Sequence, residues 1–170
     1  RTKLAIAKDY GLDDWDDKPV DQELINNLIG KAFNTIIFGG NYYQLPASIC
    51  WLVWDKNNTG DFADCELAWT NLNQAVRLFK YTWNGMIQEN MKNKEKRVHP
   101  TQKPMPLMKW CIGQLKTPPK TILDPFMGSG TTLIAAKELG IKSVGIEREK
   151  KYCDLAISRL SQEVLNFARG

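Results

Sequence analysis

"TILDPFMGSGTTLIAAKELGIKSVGIEREK", residues 121–150, decides the fold class. Thr121-Ile122-Leu123 is apolar or β-branched and runs into Asp124-Pro125, as a short buried strand does before a turn. Phe126-Met127-Gly128-Ser129-Gly130-Thr131 follows, too rich in small residues to pack anything of its own. Thr131 to Leu139 then has helical spacing, and Ser143-Val144-Gly145-Ile146-Glu147 reads as a second strand. Strand, glycine turn, helix and strand make one βαβ unit, which predicts an α/β protein.

The rest of the chain extends that unit. Residues 20–33 place Leu24, Ile25, Leu28, Ile29 and Phe33 at helical spacing behind Pro19 and Asp21, a good helix start. Residues 35–40, "TIIFGG", form a short apolar run ending in glycines, the pattern of a strand covered on both faces. Residues 48–56 and 61–70 read as two more strands, with Asn57, Asn58 and Gly60 forming the turn between them. Residues 104–115 return to helical spacing through Leu107, Met108, Cys111, Ile112 and Leu115, and residues 151–167 predict a last helix. Alternating strands and helices imply a doubly wound, mostly parallel sheet. Residues 71–98 are the least regular stretch and read as an insertion on that scaffold.

A length of 170 residues suits one domain with a real core. The composition, 43% hydrophobic and 25% charged, is that of a globular chain and not a disordered one. No apolar run approaches the roughly 18–20 residues of a membrane span, and no signal peptide is present, so neither a membrane nor secretion is expected. Cys50, Cys65, Cys111 and Cys153 lie far apart among apolar neighbours. They read as buried thiols in a reducing cytoplasm, with no metal expected.

The net charge is +4, and it is unevenly placed. Arg77, Lys80, Lys92, Lys94, Lys96 and Arg97 outnumber Glu89 and Glu95 between Asn73 and Arg97. Such a segment is either a solvated face or a phosphate-binding footprint. Phe79, Tyr81 and Trp83 alternate within it, so on a strand they share one face, for the core or for a stacked base.

The glycine turn lies where α/β sheets bind ligands, beyond the carboxyl end of a strand and before a helix. Its lack of side chains lets a ligand approach the backbone, and the following helix start suits an anionic group. Glu147 ends the second strand, where an acid accepts hydrogen bonds from a ribose diol. A dinucleotide fingerprint needs a third glycine, but Leu133 holds that position. Asp124 would also repel a pyrophosphate. An acid at that point suits an amine-bearing or cationic ligand, and S-adenosylmethionine carries an amine, a sulfonium, a carboxylate and a ribose.

"DPFMGSGTT" (124–132) and "HPTQKPMPLMKW" (99–110) together closely resemble two motifs of the amino-group DNA methyltransferases, which methylate adenine N6 or cytosine N4. "TIIFGGNYY", "WLVWDK" and "FADCELAWT" resemble central segments of phage and bacterial adenine methylases. Their order resembles the permuted class, in which the cofactor motif follows the catalytic one and lies at the C-terminal end. The resemblance implies a Rossmann-like methyltransferase domain over 1–170, with target recognition in 71–98 and cofactor binding in 99–170. It implies that Asp124, Phe126, Gly128, Ser129, Gly130 and Thr131 contact the methionine end of S-adenosylmethionine and that Glu147 binds its ribose. Thr101, Gln102 and Lys103 would supply polar groups from a loop, 99–104, closing over it.

Double-stranded DNA is the partner this implies. Arg77, Lys80, Lys92, Lys94, Lys96 and Arg97 would meet phosphates in a bacterial cell or phage-infected host, with the protein as monomer or homodimer, in DNA methylation of the restriction–modification kind. The family's catalytic Asp-Pro-Pro-Tyr tetrapeptide is absent from these 170 residues. Family order places it upstream of Arg1. Asp9-Tyr10-Gly11 lacks both prolines and follows no apolar strand. Adenine-N6 transfer is the expected activity, with cytosine-N4 transfer as its relative and an inactive module binding cofactor and DNA as the alternative of another class.

Overall fold

In a computed structural model, residues 19–58, 63–84, 87–99 and 101–162 are described. The element order is α1 (Gln22–Ile29), β1 (Ile36–Phe38), a 3-10 turn (Gly40–Tyr42), β2 (Trp51–Asp55), β3 (Cys65–Thr70), β4 (Arg77–Lys80), β5 (Trp83–Asn84), β6 (Ile87–Gln88), α2 (Met105–Gly113), β7 (Thr121–Asp124), α3 (Thr131–Glu138), β8 (Lys142–Gly145) and α4 (Lys150–Ser161). Asp9-Tyr10-Gly11, Gly60 and the end of the last predicted helix lie outside the described residues.

The fold is α/β, as expected. One sheet has the order β1-β3-β2-β4, and β7 pairs with β8 in a second. β3 is antiparallel to both β1 and β2, while β4 is parallel to β2, so β1, β2 and β4 run one way and β3 alone opposes them. β7 and β8 are parallel, with Leu123 opposite Val144 and Asp124 opposite Gly145. That register brings Asp124 and the end of "SVGIE" to one edge of the sheet.

Local chemistry explains several boundaries. Asp21 caps α1, accepting from the Glu23 amide at 3.1 Å. Thr70 Oγ1 donates to the Cys50 carbonyl at 2.7 Å, satisfying a buried hydroxyl where β2 and β3 meet. Leu52, Trp54 and Ala68 of the larger sheet share one core with Leu107, Met108 and Cys111 of α2 and Ala135 of α3. Full burial of a side chain such as Leu107 contributes about 1.5–3 kcal/mol. Burial also pushes the Cys111 thiol up to about 12, so it stays a neutral packing group.

Two expectations are corrected, and one open reading is decided. Cys65 is exposed, because β3 starts at the open end of the sheet. Residues 71–98 are not irregular throughout: Arg77–Lys80 forms an edge strand on β2, and Trp83–Asn84 pairs with Ile87–Gln88. The alternating aromatics, open between the core and a stacked base, pack on the core: Phe79 stacks on Tyr81 at 5.7 Å and on Trp110 at 5.1 Å, and Trp83 is buried. Phe79 and Tyr81 are partly buried against the same core, and Trp83 wholly so.

Candidate functional site

A cleft of about 1390 Å³ is lined by all of β1, all of β7 and most of the glycine turn. Among the described strands, β1 is paired only with β3 and β7 only with β8, so each presents an open edge.

The turn is held peptide by peptide. Gly128 donates its amide to Glu147 Oε2 at 3.0 Å, and Gly130 donates to the Met127 carbonyl at 2.8 Å. Gly128 has φ +50° and Gly130 φ +78°, the left-handed region that glycine enters without a Cβ clash. The ring of His99 fills the space above Gly128, where a Cβ would lie 3.3 Å from its Nε2. His99 is itself buried, tilted against Tyr152 at 4.2 Å between centroids, and its Nδ1 accepts from the Thr101 amide at 3.2 Å.

Asp124 lies on the cleft wall at the end of β7, with Oδ1 accepting from the Phe126 amide at 3.1 Å. Burial pushes its carboxyl above the ordinary aspartate range. A hydrogen bond with Thr132, the Phe126 amide and the charge of Lys103 pull the other way, and Glu147 adds to the rise. Lys103 pairs with Glu66 at 3.3 Å and lies over the Phe38 ring at 4.9 Å. Burial pushes Glu66 up, but Lys103 and Lys56 outweigh it and hold the carboxyl below its usual value.

Glu147 and Gly130 are not among the residues lining the cleft; Glu147 meets its wall through Gly128 and uses both oxygens, accepting from Gly128 and, at 2.8 Å, from the Glu149 amide at the start of α4. Each carboxylate oxygen has a second lone pair left for another donor. Phe126 is exposed beside the turn, and Thr101 is exposed on the cleft wall. Gln102 is buried within its own loop: it accepts from the Val98 amide at 2.9 Å and donates to Glu95 at 3.0 Å. Ser129 and Thr131 are buried too, and their hydroxyls face Arg159 of α4, at 3.0 and 3.4 Å.

Arg159, Glu95 and the packing of His99 on Gly128 did not emerge from the sequence. In the sequence His99 stands only as the first residue of the 99–104 loop. Arg159 had no signal at all, being one basic residue on an amphipathic helix. Of the basic residues, Arg77, Lys80, Lys92, Lys94 and Lys96 are exposed and Arg97 is partly buried. Among the described residues, no group of three or more His, Cys, Asp or Glu side chains could hold a metal ion. No described helix is long and apolar enough to cross a membrane.

The family model described as DNA methylase matches residues 42–158, from the 3-10 turn into α4, including the glycine turn and Glu147. The chain belongs to this DNA methylase family. Family membership sets the dinucleotide oxidoreductase reading aside. The type II methyltransferase M.HinfI of Haemophilus influenzae is 46% identical over 145 residues, covering 82% of this chain and 40% of that protein. M.HindIII, also of Haemophilus influenzae, is 32% identical over 111 residues, covering 65% of this chain and 35% of its own length. The chain thus spans well under half the length of these two relatives. Among solved structures, the M1.HpyAVI–SAM complex is 34% identical over 66% of this chain and 61% of that one, with a TM-score of 0.47.

Proposed function

We propose that this chain is the cofactor-binding part of a DNA methyltransferase that moves a methyl group from S-adenosylmethionine to the N6 amine of adenine. The observation that carries the reading is the pairing of Asp124 and Glu147 at one sheet edge, on either side of the glycine turn. The names of M.HinfI and M.HindIII, both type II methyltransferases, support it. Cytosine-N4 transfer is the second reading, since the motifs are common to both amines.

The residues fit the cofactor. The desolvated Asp124 carboxyl suits an ammonium group, exposed Phe126 suits an apolar stem, and the unused lone pairs of Glu147 suit a ribose diol. Thr101 and Lys103 also line the cleft. Ser129 and Thr131 contribute backbone, Gly130 lets the turn form with both of its backbone groups engaged, and Gln102 shapes the loop, since the side chains are absent or engaged within the protein. When bound, S-adenosylmethionine supplies an electrophilic methyl group on its sulfonium.

Orientation is the chain's share of the chemistry. It fixes the amine-binding and diol-binding acids at one edge, so that the methyl-bearing end has one direction to face. An exocyclic amine inside a duplex is out of reach, so the target base must leave the stack, at a cost of a few kcal/mol. The amine is also a weak nucleophile, its lone pair being conjugated into the ring. A carboxylate and carbonyl accepting its hydrogens would localise that lone pair, and these belong to the absent tetrapeptide.

We place that tetrapeptide in sequence upstream of Arg1, on a strand entering the cleft between β1 and β7. Both edges are open there, and the cleft exceeds the roughly 300–1,000 Å³ of an ordinary small-molecule site. Residues 71–98 and 99–170 are then the target-recognition and cofactor parts of one domain, working in the cytoplasm of a bacterial cell or phage-infected host.

Calorimetric titration tests the cofactor reading. S-adenosylhomocysteine should bind and NAD should not; tighter binding of NAD would overturn it. The affinity should also depend on pH through Asp124. Its ionised form attracts the ligand's ammonium, so affinity falls as pH drops through the raised pKa, at less acidic pH than for an ordinary aspartate. Stability of the free protein runs the opposite way: the Asp124 contribution is fully present below the unfolded pKa and is lost as pH rises through the folded one. Asp124→Asn should weaken binding at neutral pH by about 1.5–3 kcal/mol, the scale of a lost hydrogen bond to a charged group, and flatten the acid limb.

The exposed lysines make the DNA reading measurable. If Lys92, Lys94 and Lys96 each meet a phosphate, neutralising all three should lower the slope of log affinity against log salt by roughly 2.7, at about 0.9 per contact. Affinity should fall alike for every DNA sequence, because phosphate contacts position without reading bases. An unchanged slope in filter binding would make the run a solvated face.

A further inference from the structure

The Ser129 carbonyl accepts from Arg159 Nη1 at 2.6 Å, and the same nitrogen reaches the Ser129 and Thr131 hydroxyls. One guanidinium on α4 therefore fixes the outward side of the Ser129–Gly130 peptide, while Met127 holds its amide. Arg159 is not among the residues lining the cleft, and it reaches the turn through Ser129 and Thr131.

Its other nitrogen, Nη2, faces Glu95 Oε1 at 3.7 Å. Glu95 is tied on every side. Its backbone exchanges two hydrogen bonds with the Gln88 side chain, both at 2.8 Å, so it is anchored to β6. Its carboxylate accepts from Gln102 Nε2 and from the Met105 amide, each at 3.0 Å. The Met105 bond caps α2, whose N-cap residue, Pro104, offers no side-chain cap of its own. Burial works against the Arg159 charge, and Glu95 opposes that.

We infer that Arg159 and Glu95 are positioning residues that link the 88–104 segment to the cofactor turn, so that cofactor affinity depends on where that segment sits. The inference rests on the cofactor reading above. The geometry is asymmetric in a useful way. Arg159 holds Ser129 and Thr131, on either side of Gly130, whereas Glu95 touches none of the turn and holds the loop and the start of α2. Losing Arg159 releases the turn, losing Glu95 loosens it through Arg159, and losing both releases it no further than losing Arg159 alone.

The experiment is a double-mutant cycle read by calorimetric titration with S-adenosylhomocysteine, using the wild-type chain, Arg159→Met, Glu95→Gln and the double variant. Arg159→Met keeps the packing of the stem and removes the fork; affinity should fall about 10–100-fold, the range for hydrogen bonds from a charged group. Glu95→Gln should weaken binding about threefold or more, although Glu95 lies outside the cleft. The double variant should bind within about twofold of Arg159→Met alone, since both act through one link. Adding ethylguanidinium should recover affinity in an Arg159→Ala variant and leave the wild type unchanged, which a general loss of packing would not produce. Factors that multiply in the double variant, or Arg159→Met binding within twofold of wild type, would overturn the inference. If Arg159→Met does not fold by circular dichroism, Glu95→Gln alone decides, and unchanged affinity there overturns it. Failure of the wild type to bind S-adenosylhomocysteine would instead remove the cofactor reading itself, and this inference with it.

Discussion

Gly130→Ala should cost about 2–5 kcal/mol of folding stability, read as a lowered urea midpoint at unchanged slope. Two costs add. Gly130 has φ +78°, and a residue with a Cβ pays roughly 1–2 kcal/mol to stay in the left-handed region. The new Cβ would also lie 2.9 Å from Ala156 Cβ, inside normal contact, and neither atom is the end of a flexible chain. Overpacking of that kind costs about 1–3 kcal/mol. Against a total stability of about 5–15 kcal/mol, the variant would be marginal. Ala156→Gly in the same chain should relieve the contact but not the backbone strain, recovering about half of the loss. An unchanged midpoint for Gly130→Ala would mean that α3 and α4 do not approach as described.

The parts of this structure that were legible in the sequence are those set by neighbours in the chain. The turn from Asp124 to Thr131 announces itself because its small residues, its acid and the following helical spacing are contiguous. Helices α2, α3 and α4 follow the apolar periodicity to within a few residues. β4 was not legible: Arg77-Leu78-Phe79-Lys80 has no apolar alternation, and only pairing with β2 makes it a strand. β5 and β6, at two residues each, are too short to carry any period.

Helix α1 shows the reverse failure. Its apolar stripe is real, yet only Ile25 is buried, while Leu24 is exposed and Phe33, beyond the helix, is 95% exposed. Periodicity tells which face of a helix is apolar, not what covers it. In the site, Asp124 and Glu147 were legible by type and spacing. The bonds of Glu147 to Gly128 and of Arg159 to Ser129 were not, because each joins residues remote in sequence with no periodic relation.

The largest expected effect concerns the chemistry. This chain has a glycine turn proposed to hold the cofactor, a loop beside it and a basic segment, but no carboxylate-proline-proline-aromatic stretch among its 170 residues. Binding and orienting a cofactor does not make an exocyclic amine nucleophilic. Without groups to accept the amine's hydrogens, the rate should fall by at least about 10²–10³-fold, the scale for removing one preorganised polar partner of a transition state. The deciding measurement follows a labelled methyl group from S-adenosylmethionine into DNA, with the digested product resolved by base. The account predicts no transfer by residues 1–170 alone. It predicts label in N6-methyladenine when the protein extends upstream of Arg1 to include the tetrapeptide. Label in N4-methylcytosine would replace the target and keep the mechanism. Robust transfer by the 170-residue chain alone would contradict the account, and Asp9 and Tyr10 would then be the first residues to change.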